Sequence, residues 1–125
     1  MTIGEASKKL DISTDTLRYY EKIGLIGPIP KTKSGIRDYD DMSIRQIEFV
    51  KCMRSADLPL QELIKYMQLF KQVDKTLKER KQILLEQREN VIEQIEKLKI
   101  VKEKLDYKLK LYDEQLLEQR LKGIK

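Results

Sequence analysis

From Leu60 to Lys122 the chain contains neither glycine nor proline. So long a stretch without a helix breaker points to α-helix as its regular structure. Leu84, Val91, Leu98, Leu105 and Tyr112 recur every seven residues, and Arg88, Ile95, Lys102, Leu109 and Leu116 interleave with them. Eight of these ten are apolar and the flanking positions are mostly charged, which is the pattern of a coiled-coil seam. Thr76-Leu77-Lys78-Glu79 has capping-box spacing, so a helix is expected to begin there and run to about Gln119, ~65 Å at 1.5 Å per residue. A lone helix with one apolar stripe is unstable in water. The simplest cover is the same stripe from a second copy, giving a homodimer; heptads alone do not fix whether the two helices run parallel or antiparallel.

The chain as a whole holds too little apolar material to build one large core. Of 125 residues 38% are charged and the mean hydropathy is −0.58, which suits small helical units beside an exposed helix. There is no histidine and a single cysteine, which leaves little for a metal site or a catalytic triad. With no general base, ligand cluster or phosphate loop, the expectation is not an enzyme, with no cofactor and no metal. One cysteine forms no internal disulfide, no apolar run approaches a membrane span, and the first residues do not resemble a signal peptide, so a cytoplasmic protein is expected.

The net charge of +5 permits nucleic-acid binding without requiring it. Its distribution is more informative: between Arg18 and Arg37 lie Arg18, Lys22, Lys31, Lys33 and Arg37 against one acid, Glu21. Thr2 with Glu5 forms a capping box for a first helix running to about Leu10, with Ile3, Ala6 and Leu10 inward. Asp11-Ile12-Ser13 is a tight turn, and Ser13 or Thr14 caps a second helix ending near Lys22. Two short helices so joined are a helix-turn-helix. Leu17, Tyr20 and Ile23 share one face of the second helix; Thr14, Arg18 and Lys22 share the other, flanked by Asp15 and Tyr19. That outer face suits a major groove lined with phosphates, although the face pattern taken alone favours a solvated amphipathic helix. Gly24 follows as a left-handed cap. Pro28 and Pro30 then enforce extended chain, and Lys31 to Tyr39 are expected as two short strands about Ser34-Gly35. Strand alternation sets Arg37 and Tyr39 on one face and Ile36 and Asp38 on the other. A third helix, capped by Asp40 or Asp41, is expected over 42–56, with Ile44, Ile47 and Val50 in one core line and Phe49, Met53 and Ala56 in another. A fourth, Leu60 to Phe70, carries Leu60, Leu63, Ile64, Met67 and Phe70 inward.

The string TLRYYEKIGL at 16–25, followed by SGIRDY at 34–39, resembles the MerR family of bacterial transcription regulators. The resemblance covers roughly the first 70 residues closely. It implies a mainly α fold: a winged helix-turn-helix DNA-binding head over 1–71, then a linker and a long coiled-coil dimerisation helix over 72–125. Leu84, Val91, Ile95, Leu98, Leu105, Leu109, Tyr112 and Leu116 would form the dimer contact, with the two helices antiparallel and two heads on one operator. Thr14, Asp15 and Arg18 would lie near base edges and Tyr19 and Lys22 on phosphates. Lys33, Arg37 and Tyr39 would lie along the sugar-phosphate backbone from the wing, and Arg54 from a second wing between the third and fourth helices. The partners so implied are double-stranded promoter DNA distorted at an inverted repeat and RNA polymerase at that promoter. Two positions depart from the family pattern. Ile36 stands where an aromatic or histidine is usual, and Asp57 where glycine is frequent, so the second wing is expected to be shaped differently.

Cys52 lies in FVKCMRSADLPL. A lone cysteine is ordinarily a small buried hydrophobe, whereas Lys51 and Arg54 beside it would favour a thiolate. The segment is similar to the aldehyde- and thiol-stress-responsive subgroup of the family, in which a cysteine here is the sensor of electrophiles. Metal-sensing relatives use further cysteines that this chain lacks. The alternatives are a regulator in which Cys52 is structural and, from another class, a coiled-coil adaptor that binds protein.

Overall fold

The Thr2 hydroxyl accepts the Glu5 N–H at 3.2 Å while the Glu5 carboxylate accepts the Thr2 N–H at 3.0 Å, closing the capping box of α1 (Ile3–Leu10). The structure is a computed structural model that describes residues 1–70, 72 and 76–123. α2 (Thr14–Lys22) is capped by Ser13, α3 (Asp41–Ser55) by Asp40, and α4 (Leu60–Phe70) and α5 (Leu77–Lys122) follow. α1 ends at Asp11 in left-handed conformation, φ 53°. No described helix is long and apolar enough to cross a membrane.

Two compact units result, Met1–Gln87 and Arg88–Lys125. The first is built on Ala6, Leu17, Leu25, Ile26, Ile47 and Val50, all at most 1% exposed. Its limit lies inside α5, because Arg80, Ile83 and Gln87 of that helix are buried. The expected division at 71/72 differs from this. Residues 71 and 73–75 of the expected linker lie outside the described residues. Thr76 does not cap α5 in the way its spacing suggests. Its hydroxyl reaches back to the Leu69 carbonyl of α4 at 2.8 Å and to that of Gln72, just past the helix, at 2.9 Å, and accepts from Arg80 Nε at 3.1 Å. Orphan carbonyls at the end of α4 thus take the donor that a cap would have left free.

The hairpin after α2 is slighter than two strands. A single antiparallel bridge joins Lys31 and Arg37, supported by Asp38 N–H to the Pro30 carbonyl and Thr32 N–H to the Ile36 carbonyl, both 2.7 Å. Gly35 turns the tip at φ 85°. Gly24 at φ 78° holds a left-handed conformation that a residue with a Cβ adopts only with strain, and a Cβ there would also displace the Gln68 side-chain end, whose Nε2 would lie 2.4 Å away. On α3, Ile44, Ile47 and Val50 are buried as the pattern requires, but of the second line Phe49 and Met53 are half-buried and Ala56 is exposed. Phe49 lines an open apolar cleft of about 340 Å³ between α3 and α4, together with Met42, Tyr66, Met67 and Phe70 among others. Asp57 adopts φ 58°. The loop therefore takes the left-handed turn that glycine favours, and the expected change of shape at this wing is not seen in its backbone.

The second unit is the remainder of α5. Ile95, Leu98, Leu105, Leu109, Tyr112 and Leu116 are between 46% and 67% exposed in the single chain.

Candidate nucleic-acid interface

The Ser13 hydroxyl accepts the Thr16 N–H at 3.1 Å. It thereby fixes the start of α2 and sets the direction of its outer face. Arg18 is 62% and Asp15 95% exposed, and they pair at 3.3 Å one turn apart. An ion pair that open contributes little stability, so it leaves Arg18 ready to exchange Asp15 for another anion. Tyr19 is 52% exposed, Lys22 is exposed and Thr14 half-exposed.

The hairpin brings Arg37 to this face. Arg18, Lys22, Arg37 and Glu21 line one open recess of about 360 Å³. Arg18 and Arg37 also line a neighbouring recess of about 270 Å³ with Thr2, Ile3, Gly35 and Ile36. Three cations against one carboxylate around a shallow hollow form an anion seat: guanidinium groups present forked donors to phosphate, and an ammonium adds a point charge. Lys33 is exposed near the hairpin tip. Glu21 was not anticipated. It accepts Arg37 Nε at 2.6 Å and, through its other oxygen, the Ile29 N–H at 3.4 Å. Its sequence signal was its isolation, as the one acid between Arg18 and Arg37.

Tyr39 is placed differently from expectation. Tyr39 is 2% exposed and belongs to the core. Its phenol lies above its usual pKa chiefly through burial and secondarily through the Glu21 charge, with Arg37 and Arg18 pulling the other way. Strand alternation failed here because the hairpin has one bridge rather than a continuous strand, and the chain turns inward ahead of Asp40. Arg54 is half-buried and donates Nη1 to the Leu58 carbonyl at 2.7 Å, bracing the turn between α3 and α4. It lines neither recess.

Cys52 is exposed, not buried. A hollow of about 350 Å³ beside it is lined by Lys9, Leu10, Glu48, Lys51 and Ser55. Its basic neighbours are engaged elsewhere: Lys51 Nζ donates to the Leu10 carbonyl at 2.6 Å and Arg54 to Leu58. Among the described residues no group of three or more histidine, cysteine, aspartate or glutamate side chains is placed to hold a metal ion.

Residues 1–69 match the family model described as MerR HTH family regulatory protein, and residues 44–107 match that described as MerR, DNA binding. The HTH-type transcriptional regulator AdhR of Bacillus subtilis (strain 168) is 47% identical over 93 residues, 74% of this chain and 66% of that protein's length. A structure from Listeria monocytogenes assigned to the MerR family superposes with a TM-score of 0.93 at 38% identity, over 99% of this chain and 96% of the other. HiNmlR, a MerR family regulator lacking the sensor domain and bound to promoter DNA, superposes with a TM-score of 0.82 at 29% identity, over 90% of each chain.

Proposed function

The chain belongs to the MerR family of helix-turn-helix regulatory proteins, DNA-binding regulators of transcription, and from that premise we propose that it acts as a homodimer at an inverted repeat within a promoter. The observation that carries this is the pairing of two features in one chain: a cationic recess shared by α2 and the hairpin, and an exposed apolar seam on α5. Two copies joined along the seam would present two such recesses to one duplex. Thr14, Asp15 and Arg18 then read base edges, with Tyr19, Lys22, Lys33 and Arg37 on phosphates. Distortion of the bound DNA brings the promoter into a form that RNA polymerase uses, with part of the specificity taken as shape energy. The work is done beside DNA in the bacterial cytoplasm.

The test is binding of the purified protein to DNA upstream of its own gene, with wild type set against Arg18→Ala and Arg37→Ala. Each variant should weaken binding, and affinity should fall steeply as salt rises. Equal binding by all three would show the head to be misassigned. A monomer at micromolar concentration would remove the dimer.

For the signal, Cys52 acts as a sensor of electrophiles such as aldehydes: its thiol is exposed, and attack there would alter α3. Cys52→Ala should keep DNA binding and lose the transcriptional response to added aldehyde. A second reading, in which Cys52 is not the switch, is favoured by Lys51 and Arg54 both being bonded to carbonyls and so less able to stabilise a thiolate. An unchanged response in Cys52→Ala selects it.

A further inference from the structure

We propose that Glu21 is a positioning residue for phosphate recognition, holding the hairpin against α2 so that Arg37 presents its free guanidinium nitrogens beside Arg18 and Lys22. This rests on the DNA-binding reading above and deepens it. The observation is that one side chain grips both limbs of the hairpin. Its Oε2 takes the N–H of Ile29, ahead of the bridge at Lys31, and its Oε1 takes Nε of Arg37, on the returning limb. The carboxylate is 16% exposed and the guanidinium 46%. The acid is therefore the shielded anchor and the base the presented end. A charge-assisted bond of 2.6 Å through Nε fixes the guanidinium plane and leaves both Nη groups as a forked donor. The backbone about Arg37 is held by its bridge to Lys31 and by the bonds of Ile36 and Asp38 on either side, but among the described residues its guanidinium bonds to Glu21 alone. Removing this acid has two opposed effects on DNA affinity. Charge alone predicts tighter binding, because a negative group beside phosphates is gone. Positioning predicts weaker binding, because Arg37 loses its orientation.

The experiment measures affinity against salt for wild type, Glu21→Ala, Arg37→Ala and the double variant. The probes are a labelled duplex from upstream of the chain's own gene and an unrelated duplex of equal length. Melting curves run in parallel. The expected result is roughly tenfold weaker binding for Glu21→Ala, a salt slope lower by about 0.9, one phosphate's worth, and no further loss when Arg37 is already alanine. Binding by Glu21→Ala equal to or tighter than wild type overturns the proposal. So does an equal loss in the Arg37→Ala background, which would mean that Glu21 acts through folding. Should Glu21→Ala fail to fold, Glu21→Gln keeps the volume and an acceptor oxygen. With one acceptor oxygen where the carboxylate uses two, it should bind more weakly than wild type, and equal or tighter binding overturns the proposal. If wild type binds neither duplex, or Arg18→Ala and Arg37→Ala both bind as wild type does, the DNA-binding reading fails and this proposal with it. If Arg18→Ala weakens binding and Glu21→Ala does not, only the positioning role is lost.

Discussion

The guanidinium of Arg80 lies over the ring of Phe70, 4.7 Å from its centroid. Arg80 is only 8% exposed and also donates Nε to Thr76 Oγ1 at 3.1 Å. The end of α4 and the start of α5 are thus joined by a cation–π contact and by the bond of Thr76 Oγ1 to the Leu69 carbonyl. Phe70 continues a row of rings, with centroids 6.1 Å from Phe70 to Tyr66 and 5.6 Å from Tyr66 to Phe49. Phe70 is 37% exposed, so the pair is only partly desolvated and contributes about 1 kcal/mol. Arg80→Ala should therefore lower unfolding stability by about 1 kcal/mol in urea. Arg80→Lys should recover only part of the loss, because a compact ammonium cannot lie flat on the ring. Full recovery with lysine would mean that charge alone matters here.

Tyr39 presents the opposite case, a polar atom without reward. Its hydroxyl is buried and makes no hydrogen bond among the described residues. Tyr39→Phe removes an unsatisfied group while keeping the ring, so stability should rise by about 1 kcal/mol. The pH dependence has a definite sign. Burial raises the folded-state pKa of the phenol, so its protonated form is favoured in the fold. That contribution is complete below the unfolded pKa of ~10 and lost as pH rises through the higher folded value. The phenylalanine variant should thus lose part of the alkaline decline, and DNA affinity should stay at the wild-type value. A marked loss of affinity would return Tyr39 to the wing's contact surface.

Asp40 titrates in the other direction. As the N-cap of α3 its Oδ1 accepts from Ser43 Oγ at 2.7 Å and Ser43 N–H at 2.9 Å. These bonds, the hydroxyl first, hold its pKa below the ordinary carboxylate value. A depressed folded pKa contributes stability that is present above the unfolded pKa of ~3.9 and lost as pH falls through the folded value. Asp40→Asn keeps an acceptor and cannot titrate, so melting temperature should decline less steeply below about pH 4. Asp40→Ala should lower it at neutral pH as well. Identical acid limbs for wild type and Asp40→Asn would remove the cap from the account of acid sensitivity.

These cases show which features the sequence encodes locally. Thr2 with Glu5, Ser13, and Gly24 act within a few residues of themselves, and each sits as read. So does the helix-turn-helix, and so do the limits of α4, set by Pro59 and helical spacing. Failures arise where a side chain answers to something distant along the chain or to an irregular backbone. Thr76 has cap spacing, but its oxygen accepts from Arg80 Nε while its proton goes to the carbonyls of Leu69 and Gln72. Tyr39 follows strand alternation on paper, whereas one bridge is too short to impose it. Lys51 reaches across to Leu10, forty-one residues away, so adjacency to Cys52 did not describe its charge. In the recess, Arg18 and Lys22 were legible from helical spacing. The bond that brings Arg37 to them, through Glu21, crosses sixteen residues and has no periodic signature.

The seam on α5 gives the last prediction. Leu98 is 67% and Leu105 58% exposed in the single chain, and both occupy the heptad line. Full burial of a leucine contributes roughly 1.5–3 kcal/mol, and two-fold symmetry counts each position twice. Leu98→Ala should thus weaken a dimer by about 4 kcal/mol, close to a thousandfold in dissociation constant. Leu98→Asp should leave monomer at micromolar concentration, because a carboxylate would be carried into the apolar contact unpaired. Tyr107 provides the control. It is 62% exposed and also apolar in bulk, but it lies across the helix from the seam, so Tyr107→Ala should leave association unchanged. Sedimentation equilibrium separates the cases. Equal dissociation constants for wild type and Leu98→Ala would mean that the heptad line is not the contact; dissociation by Tyr107→Ala as well would point to packing that involves more than one face of α5.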